Sequence, residues 1–237
     1  MTYYWDEDDE AQDYEVPDDV VDMAFRISCA CLPIDHANAL SKALHEVLPW
    51  LAEENDAGIH VIHGAASGNG WVRPEDPAHD VLYPSRRTRM TLRLPKARVE
   101  NTRGLTGAVL DIDGHGLTVG EASVRPLAAL PTLFARYVVA DPGQDESRFL
   151  EATVEELKAL GVPVRKVLCG RTGMLRRPEG DVFTRSVLVA DLDPQESVTL
   201  QQRGLGPLRR MGCGLFIGHK GIRAVDEAAG ARSRSRL

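Results

Sequence analysis

Near the end of the chain runs Arg203-Gly204-Leu205-Gly206-Pro207-Leu208-Arg209-Arg210-Met211-Gly212-Cys213-Gly214-Leu215-Phe216-Ile217-Gly218-His219-Lys220. Four glycines (Gly204, Gly206, Gly212, Gly214) and Arg203, Arg209 and Arg210 follow a helical pattern and precede the apolar run Leu215-Phe216-Ile217, which reads as a short buried strand. Glycine admits positive φ and lets another backbone approach closely, and arginine at such an approach points to phosphate. A helix C-cap followed by a glycine-rich turn would leave the same residues. Two nucleotide-binding readings fail on order. A P-loop and a Rossmann turn both run from strand to helix, whereas this stretch runs from helix to strand. Gly206 to Gly212 is also one residue too long for a P-loop, and Cys213 stands where its lysine belongs.

Working back from this stretch, the elements form two similar series. Residues 132–140 alternate as a strand, and residues 145–160 place Phe149, Leu150, Val154, Leu157 and Leu160 on one helical side. Residues 164–169 and 182–192 are strands joined by a basic loop containing Arg171, Arg176 and Arg177. Asp193 and Pro194 mark the start of a helix over 194–203.

The first half shows the same order. Val21, Met23, Phe25, Ile27, Cys29 and Cys31 alternate with Asp22, Arg26 and Ser28. Asp35 is the expected N-cap of a helix carrying Leu40, Leu44, Val47 and Leu48, and Pro49 closes it. Residues 58–63 read as a second strand, followed by a long Gly/Pro/Asn/Asp-rich loop over 64–86. In residues 87–94, Met90, Leu92 and Leu94 face a core. Arg87, Arg89 and Arg93 form a basic stripe at about 7 Å per step on the other face. A solvated sheet face would look the same, but three arginines without an intervening acid point to nucleic acid. A short helix over 96–103 and a strand over 108–112, with more extended chain through Val119 and Val124, complete a β-α-β-β-α-β unit.

The expected fold is therefore α+β: tandem ferredoxin-like (RRM-like) βαββαβ domains with a C-terminal glycine-rich loop. The domains span 20–125 and 132–222, between an acidic, disordered tail over 1–19 and a basic tail over 223–237. The formal charge of −7 is concentrated: residues 1–20 hold nine carboxylates and no Lys or Arg, and without them the rest carries +2. No apolar run approaches the roughly 20 residues of a membrane span. Cys29, Cys31, Cys169 and Cys213 lack paired metal-ligand spacing and read as reduced, buried thiols of a cytoplasmic protein. No metal or cofactor is expected.

Several segments resemble the CRISPR repeat-processing endoribonuclease, the sixth Cas family, in its MYXAN subtype, within the repeat-associated RNA-binding proteins of CRISPR systems. They are residues 32–36, 58–60, 85–94, 187–192 and, most specifically, 211–220. The resemblance implies metal-independent cleavage of precursor CRISPR RNA beside a repeat hairpin. In that reaction a 2′-hydroxyl attacks the adjacent phosphate and leaves a 2′,3′-cyclic phosphate. It also leaves room for other subunits of a CRISPR effector complex as partners.

The family's usual catalyst is a histidine at or within the first helix. His36 at the strand-to-helix junction is the first candidate, because its Leu-Pro-x-Asp-His setting matches the subtype, and His45 later in the helix is the second. His60 or His63 would assist or merely pack. Arg87, Arg89, Arg93, Arg171, Arg176, Arg177, Arg209, Arg210 and Lys220 would grip RNA. Aromatic residues are scarce at these basic positions, so single-strand stacking is not the expected mode. The alternative is a non-catalytic RNA-binding subunit of such a complex. A module that binds a small molecule or protein, with its arginines merely solvated, is the third reading.

Overall fold

The computed structural model describes residues 14–64 and 81–219. Lys220, the basic tail and most of the acidic tail and long loop lie outside the described residues. In the described part of the acidic tail, exposed Asp18 pairs with Lys96, and Asp19 Oδ1 accepts from Gln202 Nε2 at 2.8 Å.

The described residues form two large antiparallel sheets and one small two-stranded sheet. The first half contributes β1 (Val20–Ser28), β2 (Leu32–Pro33), α1 (Ala37–Val47), β3 (Gly58–Ile59), β4 (Val81–Leu82), β5 (Arg89–Pro95), β6 (Val109–Ile112) and β7 (His115–Pro126). Five of these strands form one sheet in the order β3-β5-β1-β7-β6, while β2 and β4 pair separately. Phe25, Met90, Leu92 and Leu94 are fully buried beneath α1 with Leu40 and Leu44, so the apolar half of the sequence alternation is realised.

Three expectations for this half change. The helix expected over 96–103 is a pair of 3-10 turns, Lys96–Arg98 and Glu100–Leu105. The unit's last strand, paired with β1 on the side away from β5, is β7, the extended chain read through Val119 and Val124, while residues 108–112 form the outer strand β6. Asp35 is not the helix cap. His36 occupies the N-cap position, and Asp35 Oδ2 instead accepts from Arg176 N–H at 2.9 Å.

The second half contributes β8 (Thr132–Val139), α2 (Glu146–Ala159), β9 (Lys166–Leu175), β10 (Val182–Ala190), α3 (Pro194–Arg203) and β11 (Phe216–Gly218). Its sheet runs β11-β8-β10-β9, with the unit's last strand beside its first, as in the ferredoxin-like plan. Asp193 and Glu196 form a reciprocal capping box that fixes the start of α3. β9 extends to Leu175, so Arg171 is a strand residue and only Arg176 and Arg177 belong to the turn.

Each sheet covers its own core, and a third cluster joins them. In it Ala37 at the start of α1 meets Leu175 and Val182 of the β9–β10 hairpin and Met211 and Cys213 of the glycine-rich loop. Only Cys213 of the four thiols is buried, and burial pushes its pKa up to about 12. Among the described residues no helix is long and apolar enough to cross a membrane.

Candidate nucleic-acid interface

The glycines between α3 and β11 do admit close approach, but what approaches is the protein itself. Gly204, Gly206, Gly212 and Gly214 all have positive φ. A Cβ on Gly214 would fall 1.8 Å from Leu205 O, and one on Gly212 would fall 2.5 Å from Val61 Cγ2. A Cβ on Gly204 would meet Gly214 O at 2.5 Å, and only Gly206 faces open space. The loop therefore folds on itself and wedges against the first sheet's edge.

Its arginines hold it there. Arg210 Nη1 donates to Leu51 O and Ala52 O, both at 2.6 Å, in the 3-10 turn Pro49–Ala52 that follows α1. Arg209 donates to Arg203 O, to Gln202 O at 2.8 Å and to Asp56 O at 3.2 Å. Burial, then the neighbouring Arg93 charge, lowers the Arg209 pKa to about 10, which leaves it cationic at neutral pH. The first task of these two residues is thus to bind main-chain carbonyls while keeping positive charge at the loop.

Between the loop and α1 lies a cavity of about 470 Å³, lined by Ser41, His45, Ala52, Asn55 and residues 206–211, including Arg209 and Arg210. His45 is half-buried and its Nδ1 donates to Ser41 O at 2.6 Å. A carbonyl can only accept, so the Nδ1 carries the proton and the lone pair resides on Nε2. This is an oriented imidazole in a cationic groove.

His36 has a different place. It is 1 % exposed, its Nδ1 donates to Pro33 O at 2.7 Å, and its Nε2 accepts from Ile62 N–H at 3.1 Å. Both nitrogens are used to join the start of α1 to the segment after β3. Burial drives its pKa below the ordinary histidine value. The unfolded chain would take up a proton below about pH 6.5 that the folded chain refuses, so stability falls as pH drops, by up to about 1.4 kcal/mol per unit from this ring. Urea titrations at several pH values should show this slope reduced in His36→Gln, whose amide can both donate and accept. An unchanged slope would remove His36 as its source.

The basic stripe expected on β5 does not form. Arg93 is 1 % exposed: its Nε and Nη2 bind Asp22 at 2.8 and 2.9 Å, and its Nη1 donates to Gln201 O and Phe216 O at 3.0 and 2.7 Å. The second unit covers the face that the sequence left open. Burial alone would raise the pKa of Asp22, but the nearby His60 ring, 3.8 Å away, and the hydrogen bonds and charge of Arg93 outweigh it and hold the carboxyl far below its usual range. Arg87 lies exposed in a tight turn before β5, and the guanidinium of Arg89 folds back onto Arg86 O and Thr88 O. Arg171 and Arg176 are exposed, while Arg177 bonds Gly180 O across its turn. His60 and His63 are both held below the ordinary histidine pKa by burial, His63 at about 3. Among the described residues no group of three His, Cys, Asp or Glu side chains is disposed to hold a metal ion.

Comparison with known proteins gives one family. A family model described as Cas6 Crispr matches residues 21–221. The chain is 34% identical over 197 residues to the CRISPR-associated endonuclease Cas6 of Myxococcus xanthus (strain DK1622), covering 83% of this chain and 80% of that protein. A solved structure described as CRISPR associated protein Cas6 superposes with a TM-score of 0.62 at 14% identity, over 85% of this chain and 100% of the other. A Cas6-related protein from Pyrococcus furiosus gives a TM-score of 0.50 at 10% identity, over 84% and 98%. Both structural matches concern the fold alone. Since the family model spans both sheets and the glycine-rich loop between α3 and β11, the chain belongs to the Cas6 family.

Proposed function

We propose that the protein is an endoribonuclease that cuts precursor CRISPR RNA within its repeat, without a metal ion, with His45 acting in proton transfer. The observation that carries this reading is the sharing of one cavity by the oriented imidazole of His45 and the cationic loop residues Arg209 and Arg210. The endonuclease name of the Myxococcus xanthus relative supports the reaction class.

The chemistry uses what the cavity offers. The Nε2 lone pair of His45 takes the proton from a ribose 2′-hydroxyl, whose oxygen attacks the adjacent phosphorus. The 5′-oxygen of the next nucleotide leaves and takes a proton from solvent water, while the His45 ring returns its proton to solvent, giving a 2′,3′-cyclic phosphate and a 5′-hydroxyl. The positive charge of Arg209 and Arg210 steadies the extra negative charge of the transition state. Positioned imidazole catalysis contributes roughly 10²–10⁴-fold and needs no metal. His36 fits this role poorly, because both of its nitrogens are engaged inside the fold. Exposed Arg87, Arg171 and Arg176 are proposed to contact the phosphate backbone, and Lys220 lies outside the described residues.

Repeat RNA incubated with the protein in EDTA should be cut once. The downstream fragment should accept a 5′-phosphate from a kinase without prior phosphatase treatment. A single 2′-deoxynucleotide on the upstream side of the cut should abolish cleavage and spare binding, because it removes the nucleophile. Cutting that requires magnesium, or that survives the deoxy substitution, would overturn the mechanism.

A further inference from the structure

The last six residues of β7, 121–126, are all exposed, although one edge of the strand pairs with β1. Neither face of this stretch nor its second edge is therefore covered. β6 accompanies β7 only over residues 115–118, and Gly107 and Ala108 add one last exchange of hydrogen bonds with Val119. Beyond Val119 no described strand lies on that side of the sheet. Val124, near the middle of the open stretch, is 51 % exposed.

A bulge in β7 decides which main-chain groups point outward. Val119 and Ala122 stand opposite Ile27 and Phe25, so Gly120 and Glu121 share the place opposite Arg26. Ile27 and Phe25 are two apart and turn their main-chain groups the same way, hence Val119 and Ala122 do so too. Val119 bonds outward: its N–H donates to Ala108 O at 2.9 Å, and its O accepts from Gly107 N–H at 2.8 Å. Ala122 and Val124 thus turn their N–H and C=O groups outward as well, while Pro126 has no N–H to offer. The other side of the sheet agrees. Thr91 O accepts from His60 N–H and so faces β3, which leaves Ala24, opposite Thr91 on β1, facing Ser123.

Charge on a sheet edge ordinarily keeps other edges away. Here it is arranged to attract a copy of itself. Ser123 lies midway between Glu121 and Arg125, and neither of these charges forms an ion pair with another described residue. We propose that this edge is a self-association surface, through which two copies of the protein join β7 to β7, antiparallel, about a two-fold axis at Ser123. In that register Ala122 and the partner's Val124 exchange main-chain hydrogen bonds. Glu121 faces the partner's Arg125 at the non-hydrogen-bonded positions, where side chains come closest. The two five-stranded sheets become continuous, and Pro126 ends the ladder. So short an edge buries less than the roughly 1,600 Å² of a standard interface, which makes the dimer reversible. No β7 residue lines the His45 cavity, so the inference stands apart from the cleavage reading.

Sedimentation velocity of the full chain over a concentration series should show a monomer–dimer equilibrium. Glu121→Arg and Arg125→Glu should each weaken it by at least about tenfold, because each substitution sets two like-charged pairs across the two-fold axis. An equimolar mixture of these two variants should recover wild-type association, since each arginine then meets a glutamate of the other chain. Val124→Pro removes an outward donor that nothing within the chain uses, and should give a monomer with the wild-type melting temperature. A wild type that stays monomeric throughout, or variants that dimerise as it does, would overturn the proposal and leave the edge to a strand of another protein. A mixture that fails to associate, although both variants melt as the wild type does, would overturn it equally.

Discussion

His45→Ala should slow repeat-RNA cleavage by about 10²–10⁴-fold, the range lost when a positioned acid–base group is removed, and leave affinity for uncut RNA nearly unchanged. The size of the effect follows from geometry. The Ser41 carbonyl holds the ring through Nδ1, which fixes the tautomer and leaves the basic nitrogen in a cavity walled by the glycine-rich loop. Alanine would remove that nitrogen without disturbing a core residue, because His45 is half-buried and the apolar stripe of α1 runs through Leu40 and Leu44. Free imidazole added to the variant should then restore part of the rate, an outcome that a misfolded variant would not give. His36→Gln provides the opposite case: it should lower stability while the folded protein still cuts. Normal cutting by His45→Ala, or its loss in a stably folded His36→Gln, would return the catalytic role to His36.

Which histidine faces the groove was only half legible in the sequence. Helical spacing put Leu44 in the core and His45 about 100° round from it, which the structure bears out. What the spacing could not supply is the opposite wall, because Arg209 and Arg210 come from the far end of the chain. The second unit was read closely, since its elements carry local punctuation: Asp145 caps α2, and the Asp193–Glu196 box opens α3. In the first unit local signals were weaker. Residues 96–105 have neither a helix-long apolar stripe nor a side-chain cap, and they settle into 3-10 turns. The glycines were rightly read as sites of close approach, but the approaching group is the loop's own backbone and the edge near β3. The arginine stripe failed for a tertiary reason. Alternation states that Arg93 lies opposite Leu92 and Leu94, and it is silent about what lies on that side.

What lies there makes Arg93→Ala the most damaging single change on the structural side, with an expected loss of about 3–5 kcal/mol in folding stability, as for other broken buried ion pairs. Arg93 sits directly across from Asp22 in the β1–β5 register, and the two form a bidentate pair. Its remaining amino group binds Gln201 O and Phe216 O, one on each side of the glycine-rich loop. One side chain therefore ties both ends of the loop to the first sheet. Removing it leaves a half-buried carboxylate without its cation and two buried carbonyls without a donor. Urea denaturation of the Arg93→Met and Asp22→Leu single variants and of the double variant separates these contributions. Relative to Arg93→Met, the double variant should recover the part due to the abandoned carboxylate and keep a deficit of about 1–3 kcal/mol for each orphaned carbonyl. That residual deficit should be matched by slower cleavage in the folded protein, because the wall of the His45 cavity is no longer held. A double variant as stable and as active as the wild type would mean that Arg93 serves only its ion pair and that the loop is positioned by Arg209 and Arg210 alone.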